Sequence, residues 1–212
     1  MQLISSMKTI LSISIISFCI GCTAQIQTIP IERNKPWGNL PNAYHKDVHN
    51  YFNPFEGTWV YEGSGVKLTF SFYKKEMVYD SFNGGFYSDL LVGEYKYEVN
   101  GTVLLNTLPN LYTPGSGFDK NNIWGMHLYP NKNFPECIDC EPFEVRLSLG
   151  LRHVNQPLLD TRLILRKRTI SGIDYIEATV FSTIMTTFNN EIPADPNELV
   201  VIPAGSYLMQ RQ

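Results

Sequence analysis

Four cysteines and four histidines are the residues of this 212-residue chain that suit metal or redox chemistry. Cys137 and Cys140 are separated by two residues, which fits a disulfide, half of a metal site or a redox dithiol. The flanking residues Glu136, Asp139 and Glu141 are acidic, and their charge opposes the thiolate that redox chemistry requires. We therefore expect a disulfide between Cys137 and Cys140, as is usual in an oxidising compartment.

His45 and His49 have the i, i+4 spacing with which two imidazoles on a helix chelate zinc. A metalloprotease needs Glu beside the first histidine as its general base, and Lys46 occupies that position. The other histidines, His127 and His153, cannot be assigned as further ligands from their spacing. We expect no metal and no cofactor, and we interpret His45 and His49 as solvated residues on the outer face of a helix.

The sequence lacks the usual patterns of hydrolytic and phosphate chemistry. No serine lies in a Gly-x-Ser-x-Gly elbow, no two carboxylates are paired by spacing, and no glycine-rich phosphate loop precedes a helix. We therefore predict no catalytic residues and no enzymatic activity. The net charge of −3 gives no reason to expect a nucleic-acid partner. One basic cluster ends a predicted strand and is interpreted as a solvated face or as edge protection: Arg162, Arg166, Lys167 and Arg168.

Aromatic residues make up 13% of the chain, and several alternate with polar residues along predicted strands. Small barrels usually fill their interior with side chains, whereas tyrosine can face a wet pocket. We expect some of these aromatics to line a site for a small apolar or amphipathic ligand, beneath a lid formed by the loop 108–122. The candidate lining residues are Phe70, Phe72, Tyr95, Tyr97, Trp124 and Phe143.

Residues 1–21 have the features of a signal peptide. Lys8 precedes an apolar run of about a dozen residues, which is too short to span a bilayer. Two processing outcomes are open. Ile20-Gly21-Cys22 resembles a bacterial lipobox, in which Cys22 becomes the lipidated N-terminus, and an ordinary cleavage could instead precede Gln25. We expect an exported protein, anchored by lipid in the periplasm or at the outer membrane, and otherwise secreted.

The mature chain is predicted to hold a proline-containing tether, residues 22–41, and one β-barrel domain, residues 42–212. A short helix is predicted over Asn42–Phe52, since Tyr44, Val48 and Tyr51 recur at i, i+4 and i+7.

Beyond Gly57 the apolar period becomes two, and Asn100-Gly101 between alternating runs indicates a hairpin. About eight to ten short strands with no interleaved helices are typical of a barrel or a sandwich. We predict an all-β fold, a single antiparallel up-and-down barrel with a short N-terminal helix.

The segment Phe55-Glu56-Gly57-Thr58-Trp59 lies between the predicted helix and the first predicted strand. Here the chain resembles the lipocalin and calycin-like barrels, whose first signature is Gly-x-Trp. The resemblance implies that Gly57 and Trp59 close one end of a barrel beneath a ligand cavity. It also implies that Arg211, after the last strand, stacks on Trp59 through a cation–π contact. Ile173-Asp174-Tyr175 is similar to the second signature of these barrels.

The chain also resembles an uncharacterised family of exported proteins from Gram-negative bacteria of the flavobacterial type. The resemblance is carried by the leader, Lys46-Asp47, Gly57-Thr58-Trp59 and Gly93-Glu94-Tyr95-Lys96-Tyr97. It implies a fold and an address only. We therefore expect a non-enzymatic, lipocalin-like protein that binds a small ligand. The alternative is an envelope protein-interaction or structural module with a solid β core.

Overall fold

A computed structural model describes residues 26–32, 40–81, 84–113, 120–154, 156–184 and 202–212. Within them the chain is almost entirely β-structure, with short 3₁₀ helices at Asn53–Phe55 and Leu108–Asn110. The strands, in chain order, are β1 (Thr28–Pro30), β2 (Tyr44–Lys46), β3 (Gly57–Gly63), β4 (Val66–Asp80), β5 (Phe86–Val99), β6 (Thr102–Asn106), β7 (Ile123–Tyr129), β8 (Arg146–His153), β9 (Gln156–Ile170), β10 (Ile173–Ile184) and β11 (Gly205–Arg211).

Eight of these strands form a closed antiparallel ring. Their order around the ring is β3, β4, β5, β7, β8, β9, β10 and β11, and β11 pairs again with β3. Strand β6 pairs with β5 outside the ring, while β2 pairs with β5 and β1 pairs with β2, both in parallel. The predicted all-β class is confirmed, and the ring is a barrel rather than a sandwich. An eight-stranded barrel is just wide enough for side chains to fill.

Tight turns join consecutive strands where the backbone reaches positive φ. Asn100 and Gly101 have φ values of 49° and 79°, as a type I′ turn requires, and they connect β5 to β6. Ser171 and Gly172, with φ values of 52° and 79°, connect β9 to β10 in the same way. The predicted Asn100-Gly101 hairpin is therefore confirmed.

The core lies inside the ring because alternate residues of each strand point inward. Trp59 on β3, Phe70 on β4 and Tyr95 on β5 are cross-strand partners, and all three are fully buried. On the opposite wall, Leu149 of β8 pairs with Leu163 of β9, and both side chains are buried. Each such side chain contributes about 1.5–3 kcal/mol of hydrophobic stabilisation.

The predicted helix over Asn42–Phe52 is wrong. Strand β2 occupies its first half, and Asn42 and Asn50 have φ values of 60° and 57°, which a right-handed helix excludes. The Asp47 carboxylate accepts hydrogen bonds from the backbone N–H groups of Tyr51 (2.8 Å) and Phe52 (3.1 Å), which closes a turn instead. The tertiary pairing of β2 with β5 therefore replaces the local helical pattern.

The tether predicted over residues 22–41 contains a strand, β1, so part of it is attached to the barrel wall. The predicted signal peptide, residues 1–21, and Cys22 lie outside the described residues. Within the described part of the chain, no helix is long and apolar enough to cross a membrane.

Candidate functional site

Trp59 seals one end of the barrel. Its side chain is 0% exposed, and its indole Nε1–H donates to the carbonyl oxygen of Phe55 at 2.8 Å. Two cations lie over the indole ring: Lys167 Nζ is 4.9 Å and the Arg211 guanidinium carbon 5.4 Å from the ring centroid. These contacts hold the indole in one orientation.

Gly57 leaves room for the arginine of this sealed end. A methyl group on Gly57 would lie 3.2 Å from Nη2 of Arg211, and the φ of 112° at Gly57 also disfavours a side chain. Arg211 Nη2 donates to the carbonyl oxygen of Glu56 at 3.0 Å. The structure thus brings together Gly57, Trp59 and Arg211, the three residues that the sequence resemblance singled out.

Four of the six candidate lining aromatics point into the barrel interior and belong to one buried core: Phe70, Phe72, Tyr95 and Tyr97. The rings of Phe70 and Phe72 have centroids 5.8 Å apart. Tyr95 is fully buried, and its hydroxyl donates to the carbonyl oxygen of Arg152 at 3.2 Å. The interior wall formed by β4 and β5 is therefore aromatic, as predicted.

Trp124 lies outside the barrel, so its assignment to the interior is corrected. Its cross-strand partner is Gly150, and a methyl group on Gly150 would lie 3.2 Å from the Trp124 ring. The neighbours of Gly150, Leu149 and Leu151, point to the opposite, buried side. The Arg152 guanidinium carbon lies 5.0 Å from the Trp124 ring centroid, on the same outer face.

Phe143 is 96% exposed and precedes β8, so it does not line the interior either. The alternating pattern that includes Phe143 continues into β8, which is why it was predicted to be part of that strand. A turn interrupts the pattern, since the backbone N–H of Glu144 donates to the carbonyl oxygen of Glu141 at 3.0 Å. The side chain of Glu144 is directed to Arg166 on β9.

A buried histidine, His153, ends the inward-facing series of β8. Its side chain is 0% exposed, and neither ring nitrogen has a hydrogen-bond partner among the described residues. Its ring centroid lies 6.5 Å from that of Tyr95 in an edge-on arrangement. Burial lowers the pKa of His153 to about 4, so the imidazole is neutral at pH 7.

Thr161 on β9 adds a second polar side chain close to this histidine. It is buried, it alternates with the inward-facing Leu163 and Leu165, and it is the cross-strand partner of Leu151, two residues before His153. We call His153, Thr161 and the Tyr95 hydroxyl the interior polar patch. The patch lies at the end of β8, and it is a candidate binding site.

Two buried carboxylates, Asp47 and Asp89, attach the β2 segment to β5. Asp89 accepts hydrogen bonds from the Tyr44 hydroxyl (2.5 Å) and from the backbone N–H of Asp47 (3.0 Å). Lys74 Nζ lies 3.6 Å from Asp47 and 3.8 Å from Asp89. Burial and the hydrogen bond with Asp89 raise the pKa of Tyr44. Because these groups satisfy one another, the network acts as a structural link.

Glu94 is a third buried carboxylate, and it holds the segment that enters β7. It accepts hydrogen bonds from Asn121 Nδ2 (3.2 Å), Asn122 N (3.1 Å) and Asn122 Nδ2 (2.7 Å). Glu94 lies between the inward-facing residues Gly93 and Tyr95, so its side chain faces outward. The described parts of the predicted lid, residues 108–113 and 120–122, therefore lie on the outer wall, while Phe118 is outside the described residues.

The expected disulfide between Cys137 and Cys140 is present, with their Cα atoms 5.3 Å apart. The loop that contains it, residues 130–145, is held against the outer wall by Arg166. Arg166 Nη1 donates to both carboxylate oxygens of Asp139, at 2.9 and 3.0 Å, and Nη2 donates to Glu144 at 3.0 Å. We call residues 130–145 the disulfide loop.

Arg166 and Lys167 do not form the solvated face that was expected of the basic cluster. Arg166 is buried, and hydrogen bonds with Glu144 and Asp139 raise its pKa. Lys167 faces the opposite way, onto Trp59, and pairs with Asp174 at 2.9 Å. The alternation of β9 therefore divides the cluster between the two faces of the wall.

A cavity of about 140 Å³ lies between the disulfide loop and the outer wall. Its lining includes Arg146, Arg166, Glu177 and Ile164. Arg146 donates to the carbonyl oxygens of Pro130 and Pro135, both at 2.7 Å. Both arginines are thus engaged by the loop itself, which makes the cavity a poor anion site.

The two histidines with chelating spacing are separated by the strand-and-turn structure. His45 is buried in β2, its ring lies edge-on to Phe86 with centroids 5.4 Å apart, and burial lowers its pKa. The interpretation of His45 as solvated is therefore wrong. His49 is exposed, and its Nε2 lies 2.9 Å from Glu32. Among the described residues, no three His, Cys, Asp or Glu side chains are grouped so that they could hold a metal ion.

Sequence reasoning missed the buried groups at Asp47, Asp89, Glu94 and His153. The burial of Asp89 could have been predicted, because this lone carboxylate precedes the apolar run Leu90-Leu91-Val92. A buried charge at such a position requires partners. For His153 the pattern of β8 gave the inward direction, but the absence of partners depends on the tertiary structure.

Comparison with known families gives one match. A family of unknown function, DUF6705, matches residues 5–212. No curated protein and no solved structure matches the chain.

Proposed function

The chain belongs to the DUF6705 family of unknown function, and from its closed barrel we propose that it is a lipocalin-like protein that binds a small apolar or amphipathic molecule without catalysis. The composition of the barrel interior carries the proposal. Aromatic side chains from β4 and β5 face polar groups at the end of β8. Barrels of eight strands can hold one small ligand in this way.

The proposed address follows from the leader. The protein is exported and, through lipid on Cys22, attached to the outer membrane or held in the periplasm, and otherwise secreted. Its membrane contact is limited to that lipid, and no nucleic acid takes part. The lipocalin-like up-and-down topology is supported by ring neighbours that follow chain order, and by Arg211 over Trp59. The resemblance to exported proteins of flavobacterial type belongs to the same proposal.

Binding of the neutral fluorophore N-phenyl-1-naphthylamine tests the proposed function. We expect saturable, one-to-one binding that Tyr97→Ala weakens, since Tyr97 belongs to the buried interior. Tyr112→Ala is the matched control, because Tyr112 is 74% exposed on the outer wall. Absence of saturable binding to the folded protein, or equal weakening by both substitutions, would contradict a ligand site in the interior.

A second candidate function is supported by the disulfide loop. Three large apolar side chains on it are exposed: Phe134 (76%), Ile138 (92%) and Phe143 (96%). Large apolar side chains that are exposed on one loop are candidates for a protein interaction site. Exposed Glu136 and Glu141 lie among them, which favours a protein partner with a basic rim around an apolar centre.

Crosslinking in cells tests this second candidate. A stoichiometric partner should be captured by the natural chain and lost with Ile138→Ser. Val103→Ser is the control, because Val103 is exposed on β6, a strand that pairs with β5 and not with the strands beneath the disulfide loop. Capture that survives Ile138→Ser would exclude the loop as the interface.

A further inference from the structure

We propose that His153 is the hydrogen-bonding anchor of the interior site, and that the ligand it selects has an apolar body with one uncharged hydroxyl group. This inference rests on the proposed function and adds the chemical class of the ligand. In this proposal the interior polar patch orients the bound molecule.

An unpaired imidazole at His153 lowers the stability of the fold. Both imidazole nitrogens are buried without partners among the described residues. An unsatisfied buried polar group costs about 1–3 kcal/mol, and folded proteins rarely leave such groups unpaired. A ligand or a water molecule that hydrogen-bonds to the ring would remove this cost.

His153 differs in this respect from the buried carboxylates of the barrel and from Arg166. The carboxylates of Asp47, Asp89 and Glu94 receive hydrogen bonds from neighbouring side chains or backbone N–H groups. Arg166 is likewise paired with two acids. These groups have structural partners, whereas the imidazole of His153 has none among the described residues.

The donor and the acceptor of the neutral His153 ring determine which ligand group can pair with it. A neutral imidazole offers one N–H donor and one acceptor nitrogen, and burial keeps His153 neutral at pH 7. A hydroxyl group both donates and accepts, so it can pair with either nitrogen. A carboxylate would lose its hydration in an apolar interior and would meet an uncharged ring. The aromatic wall at Phe70 and Tyr95 supplies the surface for the apolar body.

The test measures displacement of N-phenyl-1-naphthylamine by 1-decanol, by n-undecane and by decanoic acid. The alkane lacks both the donor and the acceptor of the alcohol. A hydrogen bond worth about 1 kcal/mol gives the alcohol about a fivefold tighter affinity than the alkane. His153→Phe should reduce that preference to about one, while His127→Phe, on the outer face of β7, should keep it.

A second measurement covers the case in which His153→Phe does not fold. In the natural chain labelled with ¹⁵N, 1-decanol should shift the imidazole resonances of His153 and leave those of His49 unchanged. Resonances already typical of hydrogen-bonded nitrogens in the free protein, and unchanged by 1-decanol, would show that the ring is paired without a ligand. That result would overturn the inference.

The remaining outcomes separate the inference from the proposed function. Equal affinity for alcohol and alkane, a preference that survives His153→Phe, or tighter binding of decanoic acid would overturn the inference. Each would leave interior binding in place. Failure of the fluorophore and all three compounds to bind would overturn the inference and the proposed function together.

Discussion

Trp59 is fixed by a hydrogen bond, by two cations and by complete burial, so its truncation should strongly destabilise the fold. We expect Trp59→Ala to lower the free energy of unfolding by about 3–5 kcal/mol, as for other large-to-small core substitutions. Urea denaturation measures the change. Trp124→Ala, which removes an indole from the outer face, should cost clearly less; equal losses would mean that Trp59 is not the main anchor.

His153 should make stability depend on pH. Its pKa falls from 6.5 to about 4 on folding, so the unfolded chain binds more protons between these values. Stability from this residue is therefore complete above pH 6.5 and is lost as the pH falls towards 4, by up to about 3 kcal/mol.

The same measurement in His153→Gln should show a shallower loss between pH 7 and pH 5. His49→Gln, at an exposed position, should follow the natural chain. If the curves for the natural chain and His153→Gln are parallel, the histidine is not buried in its neutral form.

Single residues were predictable where local sequence decides their place. Gly57 and Trp59 stand at a fixed position before a strand, and Cys137 and Cys140 are close in sequence. Asp47 was not predictable, because its carboxylate closes a turn whose geometry depends on Asp89, 42 residues away.

At the scale of elements, the disulfide loop is held on the barrel by charge. We expect Arg166→Met to release it, since Glu144 loses its charged hydrogen bonds, which are worth about 1.5–3 kcal/mol each. Amide hydrogen exchange in residues 130–145 should increase, and the unfolding free energy should fall by about 3 kcal/mol or more.

Lys67→Met is the control for this substitution, because Lys67 pairs with Glu62 on β3 and both side chains are exposed, so its loss should cost under about 1 kcal/mol. Arg166 lowers the pKa of Asp139 and of Glu144 through hydrogen bonds. Its stabilisation is therefore present above the ordinary carboxyl pKa and lost as the pH falls through the lowered values. Unchanged exchange in Arg166→Met would show that the disulfide loop is held by other contacts.

Elements were predictable from alternation, since a strand of period two needs no information beyond its neighbours. The pattern failed at Phe143, where a turn continues the same alternation. The helix over Asn42–Phe52 failed because three apolar residues at helical spacing also fit a strand followed by a turn. There, pairing with β5 decided the structure.

At the scale of the whole molecule, closure of the barrel removes free sheet edges from the ring, which limits edge-to-edge association. The number of ring strands and the closing pair β5–β7 could not be read from the sequence. They depend on which strands are not part of the ring. Strand β6, which forms a hairpin with β5, is one of these strands.

Export of the protein can be tested at Cys22. If Cys22 is lipidated, Cys22→Ser should move the protein from the membrane fraction to the soluble fraction of the envelope. Mass spectrometry of the mature N-terminus should show a diacylated cysteine in the natural chain. A mature protein that begins at Gln25 would instead establish ordinary cleavage.

The parallel attachment of β1 to the barrel has a consequence for an anchored molecule. Thr28 is the first residue of β1 and lies six residues after Cys22, a separation that spans at most about 20 Å. Thr28 lies near the start of β5, because it pairs with Tyr44 of β2, which in turn pairs with Tyr87. Tyr95, beside His153, lies eight residues further along β5, roughly 25 Å away. An anchored barrel would therefore stand close to the bilayer, with its interior polar patch directed towards the aqueous compartment.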